Sequence, residues 1–232
     1  MSEEILKALT QLFAIITKQD GGVTENERRF VIRFFQQELD QDSIKEYIDL
    51  YDSFSGYNTT EVDKGSRAKL TSVKDSVKTL GICRKINKTL TQKQKAVVLI
   101  KLLEMIGSDR NFTAQRMEII NTAADVFNID GEEYKLIEAF VTATEPTHVD
   151  FPNILVVNNL GPKPNQQKHI HAHLDGHIVL MRLNSVDLHF VKYIGSEICL
   201  LNGFAMQQDR IYLFSHGSTI KTQSGHALYY SD

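Results

Sequence analysis

The chain has 232 residues, of which 42% are apolar and 24% are charged, and its formal net charge is −3. This composition excludes an intrinsically disordered chain and supplies enough apolar material for one large domain or two small ones. The longest apolar runs, such as residues 96–100, are far shorter than the roughly 20 residues that a membrane-spanning helix needs. The N-terminal residues are acidic where a secretory signal would be basic, and there are two cysteines. We therefore expect a protein without disulfide bonds in the cytoplasm or at the inner face of the membrane.

Prolines and histidines are unevenly distributed and divide the chain. All four prolines lie in residues 146–164, and all eight histidines lie at position 148 or later. Because proline lacks an N–H and clashes with the preceding helical turn, the first 145 residues can be helical throughout. We predict an all-α domain of residues 1–145, a proline-containing linker of residues 146–165 leading into the first strand, and an all-β domain of residues 166–232, with residue 151 as its alternative start.

Apolar residues at three- and four-residue spacing, together with N-cap signals, predict an α-helical bundle in the first domain. Thr24, Ser43 and Thr91 are each followed three residues later by Glu or Gln, which is the pattern of a capping box. Seven helices are predicted, at about 3–19, 25–38, 44–54, 66–86, 92–107, 114–127 and 131–142. The fifth is apolar on most sides, so we expect it to be the central, buried helix.

The helical part contains an internal repeat with an offset of 89 residues. The offset aligns Asp20 with Asp109 and Thr24 with Thr113, and apolar pairs continue further along both copies. The repeated unit is an Asp-led turn, a capped helix and a second helix. Two such units can bury against each other faces that neither could bury alone.

Acidic residues at the repeated turn are candidate metal ligands. An acid in the turn before a helix, Asp20, and another in its first turn, Glu27, can hold a divalent cation through oxygen ligands. Alternatively, Asp20 shapes the glycine turn and Glu27 completes the capping box of Thr24, which is the interpretation we favour. In the second copy Asp109 remains, but Arg116 stands at the position of Glu27 and would repel a cation.

Basic residues are concentrated in residues 64–101, which carry eleven Lys and Arg and one acid. Such a stripe either is a solvated face attracted to acidic neighbours in the chain, which we favour, or binds an anionic surface. Nucleic acid is a weaker expectation because this stretch has no aromatic residues for base stacking. The candidate surface-binding residues are Lys74, Lys78, Arg84, Lys85 and Lys88.

Short β-prone runs with period-two alternation follow the prolines and predict an antiparallel β-sandwich or partial barrel. Asp175-Gly176 and Asn202-Gly203 lie between such runs and are typical of tight hairpins. The predicted strands are 153–159, 168–174, 177–183, 188–193, 197–201, 210–214, 218–222 and 226–230. Because the sequence stops directly after the last run, we expect a fragment of a longer protein.

Motifs for catalysis are absent from the sequence: there is no GxxxxGK[ST] loop, GxSxG elbow, HExxH motif or CxxC pair. We therefore expect no enzymatic activity in these residues. His169, His171 and His173 alternate and could share one face of a strand, where imidazoles either bind a metal ion or form a polar surface, which we favour. Cys83 and Cys199 fall in different domains, which argues against a paired redox role.

Residues 18–27, Lys-Gln-Asp-Gly-Gly-Val-Thr-Glu-Asn-Glu, open a predicted helix and resemble the signature turn of the TerB-like family. These bacterial all-helical domains were first named from tellurite-resistance proteins. The resemblance covers about residues 1–143 and implies about seven helices in two related halves. Some members of the family carry metal-binding acids at this turn, so the resemblance makes Asp20 and Glu27 candidate ligands, with Asp109 as the second-half counterpart. Arg116 and Arg110-Asn111 depart from the acid and glycine turn of the pattern.

The β part is similar to a forkhead-associated (FHA-like) sandwich. The segments that carry the similarity are Leu200-Leu201-Asn202-Gly203, Arg210-Ile211-Tyr212-Leu213 and Gly217-Ser218-Thr219-Ile220. FHA domains bind phosphothreonine peptides through an Arg in a Gly-Arg turn, which this chain lacks.

The order of the two modules resembles the N-terminal region of large bacterial ABC-transporter-type ATP-binding proteins. The resemblance implies that the nucleotide-binding cassette, and any ATP, belong to a longer parent protein. We expect a non-catalytic regulatory and interaction region that binds a protein partner or other domains of its parent. The alternatives are a metal-binding stress-response module and an anionic-surface or nucleic-acid binder acting through the basic stripe.

Overall fold

The computed structural model describes residues 3–19, 22–57, 68–146, 149–161, 166–208, 210–223, 225 and 227–230, with the side chains of residues 4, 5, 38 and 68–76 excepted. The contacts divide the chain into two compact units, Met1–Asp130 and Gly131–Asp232. As the sequence predicted, helices are followed by a β-rich region that contains two sheets.

The helices agree closely in number and position with the sequence prediction. Those in the described residues are α1 (Glu3–Thr17), α2 (Glu25–Glu38), α3 (Gln41–Ser55), α4 (Ala68–Thr89), α5 (Gln92–Gly107), α6 (Ala114–Val126) and α7 (Gly131–Thr142). α5 buries ten of its residues, as its nearly uniform apolar sequence predicts. α1 adds Leu12 and Phe13, both fully buried, and the Phe13 ring meets Phe34 of α2 edge-on at 5.2 Å between centroids.

N-caps fix where the helices begin. Thr24 and Thr91 both form complete capping boxes, as predicted. The cap predicted at Ser43 is wrong, because α3 begins earlier and Asp40 is its N-cap, with its side chain accepting a hydrogen bond from the Ser43 backbone N–H. The later start was predicted because Ser43 is followed three residues later by Glu, which matches the capping-box pattern.

The strands form two sheets. They are β1 (Ile154–Asn158), β2 (Lys168–His171), β3 (His177–Leu183), β4 (Leu188–Ile194), β5 (Cys199–Leu201), β6 (Phe204–Ala205), β7 (Ile211–Leu213), β8 (Thr219–Thr222) and β9 (Ala227–Tyr229). One sheet, called sheet A, has the order β2-β1-β3-β4-β7, and the other, sheet B, has the order β6-β5-β8-β9.

Two details of the strand prediction are wrong. β1 and β2 pair in parallel, whereas all strands were expected to be antiparallel. Asp175-Gly176 therefore does not close a hairpin, because β1 lies between β2 and β3 and the turn serves a crossing connection. Asn202-Gly203 does close a hairpin, with φ values of 52° and 88°, and its second strand, β6, is too short to show in the sequence pattern.

Sheets A and B face each other and share one apolar core. Alternate residues of sheet A, including Ile178 and Val191, meet Cys199, Ile220 and Leu228 of sheet B. A tight corner at one end is held by the Tyr193 hydroxyl, which donates to the Asp175 carbonyl at 2.7 Å. Gly195 belongs to this corner because an added Cβ would lie 2.6 Å from the same carbonyl oxygen.

The opposite face of sheet A carries α7. Lys192, buried on β4, donates from Nζ to the carbonyl of Phe140 and to that of Ala143 at 2.7 Å, and its ammonium lies 5.1 Å from the Phe140 ring centroid. These carbonyls end the helix and have no intrahelical partner, so the lysine acts as a C-terminal cap. The first compact unit therefore ends before α7, at residue 130, whereas the prolines mark the change from helix to strand at 146–164.

Candidate functional site

The capped turn before α2 brings together residues from both copies of the repeat. The Glu27 carboxylate accepts hydrogen bonds from the Thr24 backbone N–H at 2.9 Å and from the Thr24 hydroxyl at 3.1 Å. The same hydroxyl lies 3.1 Å from Asp109 Oδ2, which belongs to the second copy. The predicted capping role of Glu27 is confirmed, and Thr24 of the first copy lies close to Asp109 of the second.

Arg116 lies at the centre of this cluster. Its side chain and that of Glu27 are both completely buried, and Arg116 Nη1 is 2.7 Å from Glu27 Oε1. The same nitrogen is 3.9 Å from Asp109 Oδ1, and Nη2 donates to the Gln19 carbonyl at 3.4 Å. The guanidinium therefore faces both described carboxylates and a backbone carbonyl of the first turn.

Burial dominates the electrostatics of Glu27. Desolvation raises the pKa of this carboxyl above its ordinary value, while the Thr24 N–H and the Arg116 charge act in the opposite direction. Asp109 adds to the rise because a second carboxylate disfavours the charged form. The buried guanidinium of Arg116 supplies a positive charge beside the Glu27 and Asp109 carboxylates.

The metal site predicted from Asp20, Glu27 and Asp109 remains a prediction, and Asp20 lies outside the described residues. Glu27 and Asp109 are the two of these residues that the structure describes, and both face Arg116. Glu27 Oε1 lies 2.7 Å from the Arg116 guanidinium, and Oε2 accepts the capping hydrogen bonds. Within the described part of the chain, no group of three His, Cys, Asp or Glu is placed to hold a metal ion.

The basic stripe is an exposed face of α4. Lys78, Arg84, Lys85 and Lys88 are all exposed, while Cys83 and Ile86 of the same helix are buried. At 100° per residue the four cations fall within about a third of the helix circumference. No ion pair joins any of these four side chains to an acid among the described residues. The side chain of Lys74, the fifth candidate, is outside the described part.

A shallow apolar groove adjoins this face. Phe54 of α3 and Ile82 of α4 line a cavity of about 380 Å³, with Lys18 and Lys78 at its border. Phe54 is 46% exposed and Val77, on the neighbouring turn of α4, is 66% exposed. Exposed apolar side chains next to cations form an amphipathic surface.

A larger cleft lies in the β unit, where the two sheets part. β2 is an edge of sheet A and β9 is an edge of sheet B, and in the described residues each pairs with one strand. Between them is a cavity of about 400 Å³ with an apolar floor that includes Leu155, Ile170 and Leu228.

Cations and rings line the mouth of this cleft. Lys168 and Arg182 are exposed at its border, and Arg182 is 3.1 Å from Asp187 in a surface ion pair. The His189 ring packs edge-on against Tyr230 at 5.2 Å between centroids. Burial and the Arg182 charge both lower the pKa of His189 below its ordinary value. Neither the cleft nor its lining was predicted, because the residues come from six separated segments.

The alternating histidines do not form one cluster. His169 donates from Nε2 to Asn158 Oδ1 at 2.8 Å, and His177 Nδ1 is 3.0 Å from Asn158 Nδ2. The Leu160 N–H also donates to Asn158 Oδ1, which fixes the amide orientation and makes His177 Nδ1 an acceptor. His171 and His173 are exposed and meet each other edge-on at 5.8 Å. The buried Asn158, which sequence reasoning missed, occupies one imidazole nitrogen of His169.

The two cysteines are buried, free and in different units. Burial raises the pKa of the Cys83 thiol to about 12 and that of the Cys199 thiol to about 11. Thiols with such values are poor nucleophiles near neutral pH.

Together these features define a class of protein: an all-helical domain with two related, Asp-led turns, followed by a β-sandwich. Residues 6–139, more than half of the chain, match the family model described as tellurite resistance protein TerB. The chain therefore belongs to the TerB family, as the turn sequence predicted. Comparisons with curated proteins and with solved structures give no match. In the described part of the chain, no helix has the length and apolar content that crossing a membrane requires.

Proposed function

We propose that this chain is a non-catalytic interaction region in which the β unit binds an extended peptide segment of a partner protein. The observation that carries the proposal is the cleft between the β2 and β9 edges. Unpaired strand edges can hydrogen-bond an added strand, and side-chain pockets beside them supply specificity.

The chemistry of the cleft defines the peptide. Leu155, Ile170 and Leu228 offer an apolar floor for alternate side chains of an extended segment. Lys168 and Arg182 lie at the border, where a carboxylate or a phosphate of the peptide would meet them. The expected ligand is an extended segment with alternating apolar residues and at least one acidic side chain.

Selection from a random peptide library displayed on phage tests this proposal. We expect the whole chain to enrich sequences with alternating apolar residues and an acid. Their affinity should fall about tenfold or more in the double variant Lys168→Glu, Arg182→Glu, because two attractive contacts become repulsive. Both positions are exposed, so the variant should fold.

The matched control is Lys221→Glu at an exposed position of β8, and this variant should bind the selected peptides as the unchanged chain does. Failure to enrich any sequence, or equal binding by the double variant, would contradict the proposal. Phosphothreonine peptides tested in parallel assign the anion. The FHA-like similarity without a Gly-Arg turn predicts no preference for phosphothreonine over aspartate.

A second candidate function is favoured by the α4 face. Four exposed cations lie beside exposed Val77 and the Phe54 groove, and such a surface suits an anionic lipid headgroup layer. We propose this face of α4 as a docking surface for the inner face of a membrane. No aromatic residue of this stripe offers base stacking, so nucleic acid is the weaker alternative.

Sedimentation with vesicles tests the second candidate. Vesicles with phosphatidylglycerol should retain the chain at low salt and release it at high salt, whereas phosphatidylcholine vesicles should not retain it. Changing Lys78, Arg84, Lys85 and Lys88 to Gln should abolish retention, and Lys45→Gln at an exposed position of α3 should leave it unchanged. Retention by the fourfold variant would contradict the assignment.

The order of the two modules also bears on the kind of protein to which this chain belongs. We propose that the chain is part of a larger ABC-transporter-type ATP-binding protein, in which other domains are the nearest partners. The supporting observation is a TerB domain followed by a β-sandwich module. Sequencing the reading frame beyond residue 232 tests it, and a continuation without a phosphate-binding loop would contradict it.

A further inference from the structure

We propose that Arg116 is a built-in counter-ion that takes the place of a metal ion between the two repeated turns, so that the helical unit is stable without a divalent cation. The proposal concerns the helical unit and is independent of peptide binding by the β unit.

Arg116 and Glu27 occupy equivalent positions in the two copies of the repeat. The 89-residue offset aligns Arg116 with Glu27, so a residue of one charge stands where the other copy has the opposite charge. Both residues lie in the first turn of a helix that a threonine caps, α2 after Thr24 and α6 after Thr113. The two first turns meet, and the two side chains pair at 2.7 Å.

The side chains of this cluster are buried or nearly so. Arg116 and Glu27 have no exposed side-chain surface, and Asp109 has 11%. A buried carboxylate needs a positive charge close to it, whether from a metal ion or from a side chain. The guanidinium supplies that charge and is planar, so it can face Glu27, Asp109 and the Gln19 carbonyl at once.

The Arg116 guanidinium also excludes a divalent cation from the two carboxylates. A divalent cation in contact with Glu27 Oε1 and Asp109 Oδ1 would lie within a few ångströms of Arg116 Nη1, which is 2.7 Å and 3.9 Å from those oxygens. The guanidinium and the cation would repel each other in a buried environment, where screening is weak. Removing the guanidinium should therefore create a cation requirement that the natural chain does not have.

Thermal unfolding of the whole chain with EDTA and with calcium or manganese tests the inference. The natural chain should have the same midpoint in each solution. Arg116→Ala should lower the midpoint in EDTA by about 10 °C, because one partner of a buried ion pair is lost. Calcium or manganese should restore much of this loss, and more fully in Arg116→Glu, which adds a third carboxylate.

The matched control is Arg28→Ala, which breaks the bidentate pair of Arg28 with Asp52 at 2.8 Å on the same helix, α2. It should lower the midpoint without any response to cations. Two results would overturn the inference: a raised midpoint of the natural chain with either cation, or Arg116 variants that respond no more than Arg28→Ala. Calorimetric titration of the natural chain remains informative where a variant fails to fold, since stoichiometric binding at micromolar affinity would also overturn it.

Discussion

Replacing Lys192 by Met tests how α7 is attached to sheet A. Methionine keeps the length and apolar stem of lysine but removes the ammonium that donates to the Phe140 and Ala143 carbonyls. Each charge-assisted hydrogen bond contributes about 1.5–3 kcal/mol. Relief of the desolvation cost of a buried ammonium offsets part of this. The net loss should be about 2 kcal/mol of local stability at the helix.

Hydrogen exchange measured by mass spectrometry resolves this change without requiring the whole chain to unfold. A loss of about 2 kcal/mol corresponds to roughly thirtyfold faster exchange of the α7 amides, while the strands of sheet B should be unchanged. Lys221→Met, the same substitution at an exposed position of β8, is the control and should leave exchange unaltered. Exchange in Lys192→Met that is less than threefold faster in α7 would refute the capping role.

Three further outcomes follow from packing and ionisation. Gly195→Ala should destabilise the β unit by about 2 kcal/mol in urea unfolding because its Cβ would collide with a carbonyl, whereas Gly161→Ala, in open space, should be neutral. Iodoacetamide at neutral pH should not label Cys83 or Cys199 in the folded chain and should label both in urea; rapid labelling of the folded chain would contradict their raised pKa values. The lowered pKa of His189 means that the unfolded state binds its proton first, so stability should fall as the pH drops below about 6.5. The fall between pH 7.5 and 5 should be smaller in His189→Gln, and an identical fall would exclude this contribution.

Local signals account for the success of the sequence prediction in the helical part. Thr24 with Glu27 and Thr91 with Gln94 each lie within four residues, so the capping box is visible in the sequence itself. The same pattern at Ser43 was misleading, because α3 begins earlier and has Asp40 as its N-cap.

Long-range pairings could not be predicted in the same way. The sequence showed Arg116 as a departure from the metal-binding pattern, but only the fold shows that it pairs with Glu27, 89 residues away. Lys192 lies in an apolar strand, and its position in sequence gives no sign that it caps a helix some 50 residues earlier. The parallel β1–β2 pair likewise depends on topology, because period-two alternation is the same in parallel and antiparallel strands.

The family match and the first compact unit end at different residues of this chain. The TerB match runs to residue 139, inside α7, but α7 is attached through Lys192 to the sheet of the second unit. A recombination event that exchanged only the matched residues, 6–139, would cut α7 before its end at Thr142. It would leave the Phe140 and Ala143 carbonyls, which accept from the buried ammonium of Lys192, without the rest of their helix. The two modules are thus expected to be inherited together, or to be separated only by a break before residue 131.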